Sequence, residues 1–195
     1  MHLLRKCPCP VMLVKSTEST PIRQIMAAVD FDAFDEEDGN SVEPVNRMIL
    51  ELAASLAHEE ERDCHVVHAW EAPGEDFMRR SGFEFGEGEM ESFVKKVESA
   101  HLISLERLLR KARDWIGRDV YDAVQPKTIL QQGSALNAIP DLVRTLEIDL
   151  IVMGTVLRTD IPGLFIGRTA EGILNAIDCS VLAVKPPGFV TPVTP

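Results

Sequence analysis

The stretch from residue 149 to residue 171 carries residue types that could hold a phosphate group. An apolar run, Asp149 to Met153, ends at Gly154, and a second glycine, Gly167, precedes an amphipathic helical pattern. Glycine at a strand end lets a ligand approach the backbone closely. The free N–H groups and the dipole at a helix N-terminus attract an anion. The local pattern therefore favours phosphate binding, and a purely structural strand–glycine–helix turn remains the alternative.

Six carboxylates cluster just after the apolar run Ile22 to Val29. They are Asp30, Asp32, Asp35, Glu36, Glu37 and Asp38. Their spacing does not fit an EF-hand loop, because Phe34 stands at the third ligand position and Asp35 where a glycine is required. Two interpretations stay open. The loop could share Mg²⁺ with a nucleotide phosphate, or it could be a solvated loop whose charge repels a triphosphate.

The chain has five histidines, but they do not form a recognisable catalytic set. His65 and His68 fall in one predicted strand, where alternation should send them to opposite faces of the sheet. His101 lies on the apolar stripe of a predicted helix, which is more typical of a packed residue than of a base. No Gly-x-Ser-x-Gly elbow, His-Glu-x-x-His pair or Walker loop is present. We therefore predict no catalytic residues and no enzyme activity beyond slow, incidental ATP hydrolysis.

Overall composition argues against several classes of partner. The 195 residues include 20 Lys+Arg and 31 Asp+Glu, which gives a net charge of −11 and a pI near 4.9. Nucleic acids and anionic membranes bind basic surfaces, so neither is expected here. No apolar run approaches the roughly 20 residues that a membrane-spanning helix needs.

The cysteines favour a reduced, cytoplasmic protein. Four cysteines are too few for a disulfide-built fold, and Cys7-Pro8-Cys9 is not a Cys-x-x-Cys motif. No second pair of ligands lies nearby in sequence, so no tightly bound metal is predicted. We expect Cys9 and Cys179 to be small buried residues at the starts of strands.

Strands and helices are predicted to alternate along the chain. The predicted strands are Val11 to Val14, Ile22 to Val29, Cys64 to Trp70, Lys127 to Gln131, Asp149 to Met153 and Val181 to Val184. The predicted helices are about Ser41 to His58 (capped by Asn40 or Ser41, with Pro44 in the first turn), Glu89 to Gly117, Ala135 to Leu146 and Gly167 to Ile177. Continuous apolar strands alternating with helices indicate an α/β fold with a parallel sheet covered on both faces.

An internal repeat links the two ends of the sequence. Residues 9–15 (CPVMLVK) match residues 179–185 (CSVLAVK) at a fixed offset of 170 positions (179 − 9 = 170). Leu3-Leu4 precedes the first copy as Ile173-Leu174 precedes the second. Residues 1–20 are therefore expected to be the last helix end, last strand and linker of a preceding, similar domain. Coincidence between two short apolar strands is the alternative.

The order of these motifs resembles the universal stress protein family. The resemblance covers residues 22–186, from the strand that ends at Asp30, through His65 to His68 and Gly133-Ser134-Ala135, to the block Asp149 to Thr155 and the final strand. It implies an open parallel five-stranded, Rossmann-like sheet of the adenine nucleotide alpha hydrolase type, here with an extra N-terminal strand. The family domain would span residues 21–187, with an insertion at about 71–118 and a tail at 188–195.

The resemblance also implies a nucleotide site. ATP-binding members carry Gly, two residues, Gly, nine residues, then Gly followed by Ser or Thr. This chain keeps Gly154 and Gly167 at that spacing, but has Leu157 and Arg168 at the other two positions. Arg168 supplies a charged fork that can hold phosphate, and Thr169 supplies a hydroxyl one residue later. By the same resemblance Asp30 would lie near the nucleoside, and Val67 and His68 would border the base.

The sequence leaves two functions open. The first is a stress-response regulatory domain that binds ATP or AMP at the Gly154–Gly167 loop, with Mg²⁺ where a nucleotide is bound. The second is a domain without a nucleotide that acts as a dimeric interaction module. In either case the resemblance implies a homodimer or tandem-domain partner joined through Val181 to Val184, with Val11 to Val14 expected to pair there and cover the sheet edge.

Overall fold

The computed structural model describes residue 4 and residues 7–15, 21–34, 42–75, 87–155 and 167–189. In these ranges the strands are β1 Val11–Leu13, β2 Gln24–Ala28, β3 Asp63–Trp70, β4 Lys127–Gln132, β5 Leu150–Gly154 and β6 Ser180–Val184. The helices of eight or more residues are α1 Glu43–Glu59, α2 Glu87–Ile116, α4 Ala135–Thr145 and α5 Arg168–Ala176, and a short helix α3, Arg118–Val124, follows α2.

The six strands form one mixed sheet in the order β1-β6-β5-β2-β3-β4. Strands β2 to β6 run parallel to one another, and β1 runs antiparallel to β6. This confirms the predicted five-stranded parallel sheet with an extra N-terminal strand. From β2 the chain continues to β3 and β4 on one side of the sheet, and from β5 it continues to β6 on the other side. A topological switch point therefore lies between the central strands β2 and β5. Ligands of open α/β sheets bind outside the carboxyl ends of the strands at such a point.

Alternation along the strands divides the core into two layers. On one face Ile25, Val66 and Val152 pack with α1 and α2. On the other face Met26, Val67 and Ile151 pack with α4 and α5. Because successive residues of a strand point to opposite faces, each central strand supplies both layers. Both faces of the parallel sheet are therefore covered, as the continuous apolar strands predicted.

Some local predictions are confirmed and others are wrong. Pro44 lies in the first turn of α1, as predicted, but the N-cap is Val42 rather than Asn40 or Ser41, and it makes no side-chain capping hydrogen bond. The long helix after the third strand is confirmed, whereas α3 was not predicted. Cys9 is exposed and Cys179 is only half-buried, so the expectation of two buried cysteines is wrong. Their strands begin two residues later and one residue later, respectively.

Candidate functional site

Three predicted site residues meet at the switch point. Ala28 of β2 lies opposite Met153 of β5 in the parallel register. Asp30 follows β2 by two residues, and Gly154 ends β5, so both lie at the carboxyl edge of adjacent strands. Gly167 reaches the same edge, because its N–H donates to the carbonyl of Thr155 at 3.0 Å. The structure thus brings Asp30, Gly154 and Gly167 to one edge of the sheet.

The N-terminus of α5 presents backbone donors at this edge. Gly167 is its N-cap, with extended dihedral angles (φ −63°, ψ 144°), and no side chain of the described residues caps the helix. The N–H groups of the first turn have no partner within a helix, so they remain available to an anion. Arg168 and Thr169 are exposed there, and Ala170 is buried. This arrangement suits a phosphate group held by backbone N–H groups and one guanidinium.

Gly154 has a packing role in addition to its place at the edge. A Cβ added at Gly154 would lie 3.1 Å from Val45 Cγ1 of α1, closer than an ordinary van der Waals contact. The absence of a side chain therefore lets the first turn of α1 approach the end of β5. This contact gives the structural interpretation of Gly154 a physical basis, which the sequence alone could not separate from the phosphate interpretation.

Asn46 of α1 holds the backbone of Asp30. Its Nδ2 donates to the Asp30 carbonyl at 2.8 Å, and its Oδ1 accepts from the Asp30 N–H at 3.2 Å. Asn46 is buried, and its amide pairs with both backbone groups of Asp30, which is itself exposed. Sequence analysis missed this residue, although one signal was available: Asn46 is a polar side chain that lies beside the apolar stripe of α1 formed by Val42, Val45 and Ile49.

Val67 and His68 lie on opposite faces of β3. Val67 is fully buried in the layer of α4 and α5, and its carbonyl accepts from the Val29 N–H at 2.9 Å. His68 is buried in the layer of α1 and α2. His65, three residues earlier, shares the face of Val67, so the predicted opposition of His65 and His68 is confirmed.

His68 and His101 form a buried hydrogen-bonded pair that the sequence did not reveal. His68 Nδ1 lies 3.2 Å from the Val29 carbonyl, and His68 Nε2 lies 2.9 Å from His101 Nδ1. A carbonyl only accepts, so His68 carries its hydrogen on Nδ1 and its Nε2 must accept from His101 Nδ1. His101 therefore presents Nε2 as an acceptor. Its packing on the apolar stripe of α2 is confirmed, and its partner on β3 is new.

Aromatic rings enclose this histidine pair. Phe31 stacks on His68 with ring centroids 3.8 Å apart, and Trp70 stacks on His101 at 5.6 Å. Phe34 meets His101 edge-on at 6.2 Å and is itself exposed. Burial lowers the pKa of His101, and the nearby Asp32 and Asp30 partly oppose that shift. Burial thus favours the neutral form of His101 beside two carboxylates.

His65 lies near the start of β3, toward the opposite end of the strand from His68. Its Nε2 lies 2.9 Å from Gln24 Oε1, and its buried Nδ1 has no partner among the described residues. Burial and the charge of Lys127 lower its pKa. Within the described ranges, no three His, Cys, Asp or Glu side chains come close enough to hold a metal ion.

Several sequence-predicted residues lie outside the described part of the chain. These are Leu157 in the glycine loop, four members of the acidic loop (Asp35, Glu36, Glu37 and Asp38), and most of the loop that begins the 71–118 insertion. Asp30 and Asp32 are the acidic-loop residues that the structure places. Among the helices described, none has the length and apolarity to span a membrane.

The sequence matches the universal stress protein family over residues 43–185. The chain belongs to this family. The match runs from the start of α1 to the residue after β6, and it includes both glycines of the candidate site. It also contains the long helix α2, which lies within the insertion predicted from the sequence.

Similar proteins agree with this assignment. Universal stress protein E of Escherichia coli (strain K12) is 30% identical over 193 residues, which is 98% of this chain and 56% of that protein. A functionally unknown protein from Pseudomonas aeruginosa PAO1 superposes with a TM-score of 0.65 at 24% identity, covering 95% of this chain and 55% of its own. The chain therefore spans about half the length of each of these two proteins.

One solved structure with the same fold contains a nucleotide. It is a universal stress protein in complex with cAMP, with a TM-score of 0.50 and 14% identity over 85% of this chain and 98% of its own. At this identity the likeness concerns the fold of the two proteins.

Proposed function

We propose that this chain is a regulatory universal stress domain that binds an adenine nucleotide, ATP or AMP, at the carboxyl edge between β2 and β5. The observation that carries the proposal is the meeting of Asp30, Gly154 and the N-terminus of α5 at the switch point of the sheet. A fold of this type binds its ligands at that point. The cAMP complex of a universal stress protein supports an adenine nucleotide as the ligand class.

Each site residue has a distinct role in this proposal. The first N–H groups of α5 and the Arg168 guanidinium hold the phosphates, and the Thr169 hydroxyl adds a donor. Gly167 adds no side chain beside these groups. The Asp30 carboxylate accepts from the nucleoside, and its backbone is held in place by Asn46. Val67 borders the base with the backbone of β3, because its side chain is fully buried.

Mg²⁺ would accompany the nucleotide rather than bind the protein alone. Asp30 and Asp32 place two carboxylates at the edge where the phosphates are proposed to lie. A divalent cation would offset their repulsion of a triphosphate. We accordingly expect the affinity for ATP to depend on Mg²⁺ more strongly than the affinity for AMP, because AMP carries fewer charges. No catalytic step is assigned to this site.

A domain that works without a nucleotide is the second candidate. The close approach of Val45 to the position that a Cβ of Gly154 would occupy favours it, because helix packing alone accounts for that glycine. In this alternative the loop between Gly154 and Gly167 is a structural turn. The domain would then act through protein partners at its sheet edge.

We also infer that the β6 edge is the association face of the domain. Strand β1 occupies it within the same chain, with Val11 opposite Ala183 and Leu13 opposite Val181. Backbone groups along a sheet edge readily pair with another strand. A homodimer or a tandem domain would use the same groups of β6.

Calorimetric titration with ATP and AMP, with and without Mg²⁺, tests the nucleotide proposal. The expected result is binding that saturates below about 1 mM nucleotide and is lost in Gly167→Val. Gly167 has a φ of −63°, so valine is not excluded by backbone conformation, and the variant tests close approach of a ligand. Gly88→Val is the matched control, because a Cβ there meets nothing within 4 Å. Absence of binding at millimolar ATP would leave the nucleotide-free alternative.

A further inference from the structure

Two successive hydrogen bonds fix which nitrogen of His101 carries a hydrogen. The Val29 carbonyl can only accept, so His68 Nδ1, which lies 3.2 Å from it, is the protonated nitrogen of that ring. His68 Nε2 is then a lone pair, and it accepts from His101 Nδ1 at 2.9 Å. The remaining nitrogen, His101 Nε2, is therefore a hydrogen-bond acceptor.

This acceptor has no hydrogen-bond partner among the described residues, although its side chain is nearly buried. His101 is 9% exposed on α2, and its hydrogen bond uses Nδ1. Burial lowers the pKa of His101, so the ring is neutral at pH 7.5 and Nε2 keeps its lone pair. Nearly buried polar atoms in folded proteins usually have a partner. His101 Nε2 thus offers a place for a donor from outside the chain.

The surroundings of His101 suit a flat ring that bears N–H donors. The carboxylates of Asp32 and Asp30 lie close enough for their charges to act on the imidazole. Trp70, the last residue of β3, stacks on the ring, and the exposed Phe34 meets it edge-on. Carboxylates and a neutral imidazole nitrogen accept hydrogen bonds, and aromatic side chains pack against flat rings.

The order of the strands places His101 on the base side of the proposed nucleotide site. The strands cross the switch point in the order β5-β2-β3. The N-terminus of α5, where the phosphates are proposed to lie, is joined to the end of β5 by the bond from Gly167 to Thr155. A nucleotide that also contacts Asp30, after β2, extends its base toward β3. His101 lies at the end of β3, against Trp70.

We propose that His101 Nε2 accepts a hydrogen bond from the 6-amino group of an adenine base, and that His101 thereby selects a 6-aminopurine at the candidate site. This inference rests on the proposed function, and it adds a residue that reads the base. A purine without the amino group leaves the His101 acceptor without its donor. Helix α2 would thus contribute base recognition to a site whose other members lie on the sheet edge and on α5.

Calorimetric titration at pH 7.5 with AMP and with purine riboside 5′-monophosphate tests this role. The second nucleotide has hydrogen in place of the 6-amino group and is otherwise identical to AMP. The unchanged protein should bind AMP about 3- to 10-fold more tightly, as expected for one hydrogen bond. His101→Phe keeps a ring against Trp70 but lacks Nε2, so the two affinities should become nearly equal. His58→Gln is the matched control, because His58 is exposed near the end of α1, and it should keep the preference.

Nitrogen NMR of the histidine rings gives a second readout that needs no substitution. In the free protein His101 Nδ1 should be the protonated nitrogen and Nε2 the unprotonated one. AMP should shift the Nε2 signal, because its lone pair then accepts a hydrogen bond, and the nucleotide without the amino group should shift it less. A His101 that only supports the fold would not distinguish the two nucleotides. This readout also serves if His101→Phe does not fold.

The outcomes separate this inference from the proposed function. Equal affinities of the unchanged protein for the two nucleotides, or a preference that persists in His101→Phe, would overturn the role of His101 and leave nucleotide binding in place. A hydrogen on His101 Nε2 in the free protein at pH 7.5 would do the same. Binding of neither nucleotide at millimolar concentration would overturn both proposals.

Discussion

His101 Nδ1 lies 2.9 Å from His68 Nε2, and this bond joins the long helix α2 to strand β3 at the carboxyl edge of the sheet. The two residues are buried on elements far apart in sequence. His68 is fixed in turn by the Val29 carbonyl, one residue before Asp30. The pair therefore connects the long helix α2 to the backbone beside the candidate nucleotide site.

Stability should fall as the pH drops from 7.5 to 5.5. The folded state lowers the pKa of His101 through burial, so it binds fewer protons than the unfolded chain, whose histidines titrate near 6.5. The contribution of neutral His101 is complete above pH 6.5 and is lost as the pH falls toward the lowered value. The loss is about 1.4 kcal/mol for each unit of pKa difference. Urea unfolding at a series of pH values measures it.

His101→Phe should flatten this pH dependence while lowering stability at pH 7.5, because His68 Nε2 loses its donor. His58→Gln is the control, since His58 is exposed near the end of α1 and should leave the slope unchanged. An unchanged slope in His101→Phe would show that other groups, such as His65, cause the acid sensitivity.

Asn46→Ala should destabilise the domain by about 0.5–1.5 kcal/mol for each hydrogen bond lost, because it removes the side chain that pairs with the N–H and carbonyl of Asp30. It should also weaken nucleotide binding, since Asp30 would lose its fixed position. Asn46→Asp keeps the oxygen that accepts from the Asp30 N–H but places a second carboxylate oxygen against the Asp30 carbonyl, so it should not restore either property. Thermal unfolding and calorimetric titration would measure both effects, and full affinity in Asn46→Ala would contradict the positioning role.

Gly154→Val should cost about 1–3 kcal/mol through overpacking against α1. Val45→Ala removes the Cγ1 atom that the new side chain meets, so the double variant should be more stable than the sum of the two single changes predicts. A double-mutant cycle by urea unfolding measures this coupling. Additive effects would mean that α1 does not limit the space at Gly154.

Arg168→Ala should weaken ATP binding about 10- to 150-fold, as expected for the loss of a charge-assisted hydrogen bond of roughly 1.5–3 kcal/mol. Adenosine, which has no phosphate, should bind the variant as it binds the unchanged protein. Arg144→Ala is the matched control, because Arg144 is exposed in the last turn of α4 and pairs with Asp141. Equal losses for ATP and adenosine would contradict a phosphate contact.

The sheet was predictable because its signals are local. Continuous apolar runs and alternating helices indicated the parallel strands, and the resemblance to the universal stress protein family implied the pairing of β1 with β6. Helix α3 was missed because the predicted long helix ran on to Gly117. That glycine has a φ of 90° and separates two helices. Such a break depends on a backbone conformation that glycine permits but does not require.

The surroundings of the candidate site were less predictable because they depend on contacts between distant residues. His68 and His101 are in separate elements, and no spacing rule connects them. The contact of Gly154 with Val45 likewise depends on how closely α1 approaches β5. Sequence spacing placed both glycines at the same edge, but packing was needed to show that one of them also accommodates a helix.

Amide resonances of the first turn of α5 give the most direct test of the proposed nucleotide site. ATP with Mg²⁺ should shift the signals of Arg168, Thr169 and Ala170 saturably, together with those of Asp30 and Gly154, because backbone donors at this edge hold the phosphates. Adenosine should leave the three α5 signals almost unchanged. Unshifted α5 signals at millimolar ATP, or shifts confined to another part of the chain, would contradict nucleotide binding at this site.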